Sequence, residues 1–362
     1  MMSSSIGKLF RLTTFGESHG LAMGGVIDGC PSGFEIDFKQ IQEFLNKRRP
    51  GSSAIYSERN ESDQVEFLSG ILDGVTLGSP IGFIIKNSDQ KIKDYSSCRD
   101  VFRPSHSDYT YESKYGIRDY KGGGRSSARE TVNWVVAGAI ATQILSFKKI
   151  YIYSYVSAVG DIILDQHYSK LDLNNIYNNN VRCPSQKTAF LMEDLISTCK
   201  QKGDTIGGQV STIIKGLPVG LGEPVFNKLN SGLAKAIVGI NACRGIEFGS
   251  GFTGSSRKGS EENDQFFVDS NSIKVKTNNS GGIQGGISNG QEVFFKSAFK
   301  PVSSIMQKQS TVNNKLQQVD LMPAGRHDPC VVPRAVPIVS ALTAIIVLDY
   351  YLLSKTTKLS DL

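Results

Sequence analysis

Three of the four histidines in this 362-residue chain lie in short clusters of polar and small residues. The clusters are Gly-Glu-Ser-His-Gly around His19, Arg-Pro-Ser-His-Ser-Asp around His106, and Gly-Arg-His-Asp-Pro around His327. Flanking glycine and proline place each cluster on a loop, where a scaffold commonly displays functional side chains. Because imidazole is suited to proton transfer near neutral pH, the clusters indicate acid–base chemistry.

The spacing of these residues excludes two common kinds of site. The chain has no H-x-x-x-H pair and no C-x-x-C pair, so no metal centre is predicted. The residues around Ser18 do not form the G-x-S-x-G turn that displays the nucleophile of many serine hydrolases.

A glycine run at 122–124 precedes the longest helix pattern and reads Gly-Gly-Gly-Arg-Ser-Ser-Ala-Arg-Glu through residue 130. Ser127 and Glu130 have the spacing of a capping box. Exposed backbone N–H groups, with Arg125 and Arg129 beside a helix N-terminus, favour binding of a phosphate group. The run lacks both the Walker and the Rossmann pattern. With a second glycine-rich stretch at 281–290, it predicts a flat or phosphorylated ligand.

The elements that must position these loops alternate along the chain. Apolar periodicity predicts helices at 37–47, 128–147, 189–202, 230–239 and 335–353, and strands at 65–70, 81–86, 150–158, 209–215, 273–277 and 292–299. The stretch 335–353 contains one charged residue, Asp349, and Pro337, and we interpret it as a buried helix rather than a membrane span. Residues 165–188 are polar and are interpreted as a surface excursion. No linker divides the chain, so a single large α/β domain over 1–362 is expected.

The amino-acid composition limits which class of ligand and which cellular compartment the sequence predicts. The net charge is +6, and the longest basic cluster is Lys47-Arg48-Arg49. A nucleic-acid binder would concentrate more basic residues in one patch, so an anionic small molecule is the better prediction. Six cysteines without paired spacing, and an N-terminus without an apolar leader, favour reduced thiols and a cytoplasmic protein that binds neither nucleic acid nor membrane.

The chain resembles the chorismate synthase family from Gly7 to about Tyr351. Three long stretches carry the resemblance: GESHGLAMGGVIDGCPSG (16–33), YGIRDYKGGGRSSARET (115–131) and GRHDPCVVPRAVPIVSAL (325–342). The resemblance implies an α+β fold with helices sandwiched between antiparallel β-sheets, assembled as a homotetramer. It also implies conversion of 5-enolpyruvylshikimate 3-phosphate to chorismate and phosphate, with reduced FMN as the cofactor.

The same resemblance implies roles for particular residues. His19 matches the family residue that acts as an acid and donates a proton to the leaving phosphate. His106 matches the residue that supports the reduced flavin. Asp328 matches the carboxylate that lies near flavin N5. Ser18 and Ser127 match supporting residues. Expected flavin contacts are Arg125, Ser126, Ser127, Asn241, Ala242, Gly285, Lys300, Pro301, Val302, Ser303, Ser304 and Arg326. Expected substrate contacts are Arg48, Arg49, Arg103 and Arg129.

Two positions depart from the family pattern. Ala54 stands where many members have an arginine associated with pyridine nucleotide, which argues against direct binding of NADPH. NADPH is then expected as an indirect reductant, and because no extra domain is visible in the sequence, an external flavin reductase is expected. Ser340 stands where the third stretch usually has a glutamate. The alternative function is a flavin- or phosphate-binding protein of the same fold without catalysis.

Overall fold

The computed structural model describes residues 4–49, 55–56, 61–88, 98–322 and 328–361. Ala54 and Arg326 therefore lie outside the described residues, and so do the predictions made for them.

The first sheet is formed by the N-terminal part of the chain. Its five antiparallel strands are ordered β1-β2-β3-β7-β4. Alternation explains its one buried face, since Ile81, Phe83 and Ile85 of one strand are all 0–1% exposed. The strands are β1 (Ser5–Ile6), β2 (Arg11–Gly16), β3 (Ala22–Asp28), β4 (Val65–Phe67) and β7 (Ile81–Lys86); between them lies a hairpin of β5 (Ile71–Leu72) and β6 (Val75–Thr76).

A second antiparallel sheet has the order β11-β16-β10-β8-β9. In its central strands Val210, Val293 and Phe295 are fully buried. The strands are β8 (Tyr151–Val159), β9 (Ile162–Ile163), β10 (Gly208–Lys215), β11 (Cys243–Phe248) and β16 (Val293–Phe299). Small hairpins complete the strands: β12 (Phe266–Asp269) with β13 (Ser272–Val275), β14 (Ile283–Gln284) with β15 (Ile287–Ser288), and β17 (Gln309–Val312) with β18 (Gln318–Leu321).

Two long apolar helices lie between the sheets. The helix α3 (Thr131–Phe147) packs against β2 and β3, and α8 (Val332–Ser354) packs against β8 and β10. The two helices approach closely, since a Cβ atom at Gly138 would lie 2.4 Å from the Cβ of Ala341. The expected sandwich of helices between antiparallel sheets is thus confirmed. The other helices are α1 (Phe38–Arg48), α2 (Asp108–Tyr115), α4 (Gln186–Gln201), α5 (Leu229–Val238), α6 (Gly251–Gly254) and α7 (Gly259–Glu262).

The helix α8 is long and apolar enough to cross a membrane, but 78% of its most apolar window is buried inside the protein. Its one acidic residue has a structural role. The Asp349 carboxylate accepts hydrogen bonds from the backbone N–H groups of Lys8, Leu9 and Phe10 at 2.7–3.1 Å. The prediction of a buried helix is confirmed.

Residues 165–188 connect β9 to α4 through two 3₁₀ turns, Tyr168–Lys170 and Leu173–Tyr177. Half of the segment is exposed, but Ile176, Val181 and Cys183 are at most 3% exposed. These side chains fix the segment to the body of the protein.

Candidate active site

A cavity of about 400 Å³ opens where the glycine run, the end of α1 and the start of α8 meet. Many of the residues predicted from the sequence line it: Arg48, Arg103, His106, Ser126, Ser127, Arg129, Asn241, Ala242, Asp328 and residues 300–304. The volume falls within the range of small-molecule sites.

The glycine run brings the two histidine loops close together. Gly122, Gly123 and Gly124 all have positive φ, between 53° and 87°, a conformation that glycine adopts without steric cost. A Cβ at Gly122 would lie 2.3 Å from Cε1 of His19, and one at Gly123 would lie 3.5 Å from Cε1 of His106. A side chain at Gly122 would therefore push His19 away, whereas a Cβ at Gly123 would be in van der Waals contact with His106.

The predicted capping box does not form, and this expectation was wrong. Ser127 Oγ accepts from the N–H of Arg129 at 3.3 Å and begins a 3₁₀ turn, Ala128–Glu130, before α3. The Glu130 carboxylate instead accepts from Arg125 Nη1 at 2.5 Å and from Trp134 Nε1 at 3.3 Å. The competing charge of Arg125 explains the difference.

Behind Gly122, Ser18 and His19 form a pair. Ser18 is fully buried, and its Oγ lies 3.0 Å from His19 Nδ1. The loop is tied to the arginines of the cavity through Asn87, which donates to the Gly20 carbonyl at 2.8 Å and accepts from Arg129 Nε at 3.0 Å.

The histidine cluster consists of Arg103, His106 and Asp108. Asp108 Oδ1 lies 2.9 Å from His106 Nδ1, and its Oδ2 accepts from Arg103 Nε at 2.7 Å. Burial alone would raise the pKa of Asp108, but hydrogen bonds from Arg103 and His106 outweigh burial and hold that pKa well below its usual range. The cluster holds the imidazole at the cavity wall with Nδ1 engaged.

The arginine pair consists of Arg48 and Arg129, which share the carboxylate of Asp63. Arg48 Nη2 donates to Asp63 Oδ2 at 2.6 Å, and Arg129 Nη1 donates to Asp63 Oδ1. Asp63 is fully buried and has a φ of 50°, which is uncommon outside glycine. Burial lowers the pKa of Arg48 to about 10, with Asp63 opposing the shift, so the guanidinium stays cationic at neutral pH.

Sequence analysis missed two arginines of the cavity wall, Arg244 and Arg334. Arg334 forms an ion pair with Asp328 and donates through Nε to the Arg48 carbonyl at 3.4 Å. Its position in the third family-like stretch, six residues after Asp328, was a signal that could have identified it.

The opposite wall offers hydroxyl and backbone groups. Lys300 Nζ donates to Ser303 Oγ at 2.6 Å, and Asn241 Nδ2 donates to the Ser126 carbonyl at 2.9 Å. Ala242 has a φ of 67°. Burial, and to a lesser extent the charge of Arg244, lowers the pKa of Lys300.

Some predicted residues lie outside the cavity lining within the described part of the chain: Ser18, His19, Arg49, Arg125 and Gly285. Arg125 joins the glycine run to β2 through Thr14 Oγ1 at 2.9 Å, in addition to its ion pair with Glu130. Gly285 lies in the turn between β14 and β15. Arg49 Nη1 donates to Asn46 Oδ1 at 3.4 Å.

The cavity thus combines buried cations with a histidine and a carboxylate. Arginines in a site with restricted water bind phosphate and carboxylate groups strongly, and the imidazole and carboxylate can exchange protons. Fold and site together define an α+β enzyme that acts on a small anionic substrate.

Comparison with known proteins identifies the family. The family model described as chorismate synthase matches residues 10–352. A chorismate synthase of Christiangramia forsetii is 58% identical over 359 residues, covering 99% of this chain and 100% of that protein. A chorismate synthase of Parabacteroides distasonis is 55% identical, and the match covers 98% of this chain and 99% of that protein. A crystal structure of chorismate synthase has a TM-score of 0.77 at 25% identity and covers 97% of this chain and 94% of that chain. The chain belongs to the chorismate synthase family.

Proposed function

We propose that this protein converts 5-enolpyruvylshikimate 3-phosphate to chorismate and inorganic phosphate by a 1,4-elimination that requires reduced FMN. The observation that carries the proposal is the buried arginine pair facing the same cavity as His106 and Asp328. The reaction expels a phosphate dianion and removes a ring proton, so it needs fixed positive charge and a proton acceptor in one water-restricted site.

The cavity has features that suit a flavin. A flat ring with polar edges needs apolar surface and hydrogen-bonding groups, and the cavity provides both through Ile240, Val302 and Ile338 and through Asn241 and Ser126. Asn241, Ala242, residues 300–304, Ser126 and Ser127 would hold the cofactor. When bound, reduced FMN would supply electron density to the allylic system of the substrate.

Arg48 and Arg129 would bind the charged oxygens of the substrate, with Arg103 contributing from the histidine cluster. Asp63 and the buried Glu61 balance the charge of this pair, but the cavity lining as a whole has an excess of positive charge. Its cationic side chains are Arg48, Arg103, Arg129, Arg244, Arg334 and Lys300, and its carboxylates are Glu61 and Asp328. Such stabilisation acts most strongly on charge that develops as the phosphate leaves.

Two of the proposed proton-carrying groups, His19 and His106, lie against the glycine run at Gly122 and Gly123. His19 would donate a proton toward the departing phosphate, with Ser18 Oγ holding its Nδ1. His106 would present Nε2 toward the flavin side. Asp328, held by Arg334, would accept the ring proton at a carboxylate oxygen.

Phosphate release from 5-enolpyruvylshikimate 3-phosphate under anaerobic conditions tests the proposal. With chemically reduced FMN, phosphate and chorismate should form in equal amounts. Binding of FMN and substrate without product would instead support the non-catalytic alternative. Activity with NADPH and FMN in air would contradict the expected dependence on an external reductase.

We further propose that the protein acts in the cytoplasm as a homotetramer. The six cysteines, all free thiols, support a reducing compartment, and the family resemblance supports the assembly. Sedimentation equilibrium of the purified chain tests the tetramer.

A further inference from the structure

The side chain of Arg182 leaves the segment 165–188 and ends between two helices that carry cavity residues. Arg182 is 6% exposed. Its Nη2 donates to the Lys47 carbonyl in the last turn of α1, and its Nη1 donates to the Pro333 carbonyl in the first turn of α8 at 2.5 Å. The residues that follow these two carbonyls are Arg48 and Arg334, which both line the cavity.

Both carbonyl groups lack the donor that a helix normally supplies. The Lys47 carbonyl is among the last four of α1, which have no intrahelical partner. The Pro333 carbonyl would accept from residue 337, but that residue is Pro337, which has no N–H group. The guanidinium of Arg182 has several donors in a planar fork, so it satisfies both acceptors at once. Its positive charge also suits the C-terminal end of the α1 dipole.

The backbone of Arg182 is held firmly against the second sheet. Its φ is 64°, its N–H donates to the Asn179 carbonyl at 3.2 Å, and its carbonyl accepts from the N–H of Val156 in β8 at 3.0 Å. The guanidinium lies 5.6 Å from the centre of the Tyr177 ring. The sheet therefore determines where the guanidinium sits, and the guanidinium determines how the two helix ends meet.

We propose that Arg182 is a positioning residue that joins the end of α1 to the start of α8 and thereby sets the separation of Arg48 and Arg334. The inference rests on the proposed function for its effect on the substrate. Arg182 is not part of the cavity lining and acts through the two arginines. The direct hydrogen bond from Arg334 Nε to the Arg48 carbonyl is long, at 3.4 Å, whereas the bond from Arg182 to the Pro333 carbonyl is 2.5 Å.

The test compares Arg182→Gln and Arg182→Lys with Lys187→Gln, an exposed position in the same segment. Under anaerobic conditions with reduced FMN, Arg182→Gln should raise KM for the phosphorylated substrate about tenfold, while the Kd of FMN stays within about twofold. Arg182→Lys, which can reach one carbonyl, should show a smaller rise, and Lys187→Gln should show none. If the Gln variant does not fold, the Lys variant carries the same comparison.

A double-mutant cycle separates positioning from general destabilisation. In an Arg48→Ala background, Arg182→Gln should raise KM less than about threefold further, because one of the two residues through which it acts is already absent. A full additional tenfold rise, an unchanged KM in the single variant, or equal losses for FMN and substrate would each overturn the inference.

Hydrogen exchange of the free protein tests the join without any reaction. Amides at the end of α1 and the start of α8 should exchange faster in Arg182→Gln than in the wild type, and unchanged exchange at both ends would overturn the inference. A wild-type protein that forms no chorismate would refute the proposed function alone, since the exchange result stands apart from it.

Discussion

The arginine pair and the histidine cluster are both built around a buried carboxylate, but they differ in the partners of that carboxylate. Asp63 lies between two guanidinium groups, and arginine side chains are cationic at neutral pH. Asp108 has two guanidinium partners, Arg103 and Arg118, and also an imidazole partner, a side-chain type that exchanges protons near neutral pH. One wall of the cavity therefore provides constant charge, while the other can change its charge.

The proposed function would use this difference, because it requires one cavity both to bind an anion and to move protons. If both walls could change charge, affinity for the anion would vary each time a proton moved. Separate carboxylates allow the two tasks to be tested by separate substitutions.

The largest expected effect comes from Asp328→Asn. This variant tests whether the carboxylate held by Arg334 takes part in proton transfer. Asparagine keeps the shape of the side chain and forms turns equally well, but it cannot accept a proton. We expect turnover to fall at least about 100-fold with little change in FMN and substrate binding. Asp320→Asn, an exposed position in β18, is the matched control. Near-normal turnover would remove Asp328 from the proton path and leave it as the partner of Arg334.

Arg48→Ala and Arg129→Ala test the constant-charge wall. Each removes a charged hydrogen bond to the substrate, which typically contributes about 1.5–3 kcal/mol, or roughly 10- to 150-fold in affinity. We expect the substrate Kd to rise by that factor while the FMN Kd changes little, as measured by equilibrium titration. Arg257→Ala, at an exposed ion pair, should change neither constant. Equal losses for both ligands would mean that these arginines contact the cofactor.

His106→Ala tests the wall that can change its charge. Turnover with saturating reduced FMN should fall about 10- to 100-fold, whereas the folded protein should still bind FMN. The exposed His167 provides the control His167→Ala. Unchanged turnover would exclude His106 from the mechanism and would remove the proposed contrast between the walls.

The smallest expected effect concerns acid stability. Arg103 and His106 hold the pKa of Asp108 below its unfolded value of about 3.9, so its contribution is complete above that pH and is lost as the pH falls. Between pH 6 and pH 3 the wild type should lose about 1 kcal/mol through this group that Asp108→Asn does not lose. Urea unfolding at both pH values measures the difference. An equal pH dependence in the two proteins would show that Asp108 has a similar pKa in both states.

The helices that position the site could be predicted where the spacing of neighbouring apolar residues determines them. The helix predicted at 37–47 is α1, one residue later, because apolar spacing within eleven residues determines it. The helix predicted at 128–147 begins as α3 only at Thr131, since Ser127 caps a 3₁₀ turn instead. The strands β2 and β3 were not predicted, because their glycines and threonines weaken the apolar alternation.

The sequence could not indicate hydrogen-bond partners that lie far apart in the chain. Asp63 meets Arg129 across 66 positions, and Arg182 meets the Pro333 carbonyl across 151 positions. No periodicity encodes such pairs. The sequence shows that residue 337 is a proline and cannot donate to the Pro333 carbonyl. Only the folded structure shows that Arg182 supplies the missing donor.

The hydrogen bonds of Asp349 affect the order in which parts of the protein can fold during synthesis. Its carboxylate binds backbone N–H groups about 340 positions earlier in the chain, in the turn between β1 and β2, so this turn finds its partner only after most of α8 has been synthesised. Contacts of such sequence separation are associated with slow folding, because a very long loop must close first. On the ribosome, the turn between β1 and β2 therefore lacks this carboxylate partner until synthesis nears its end.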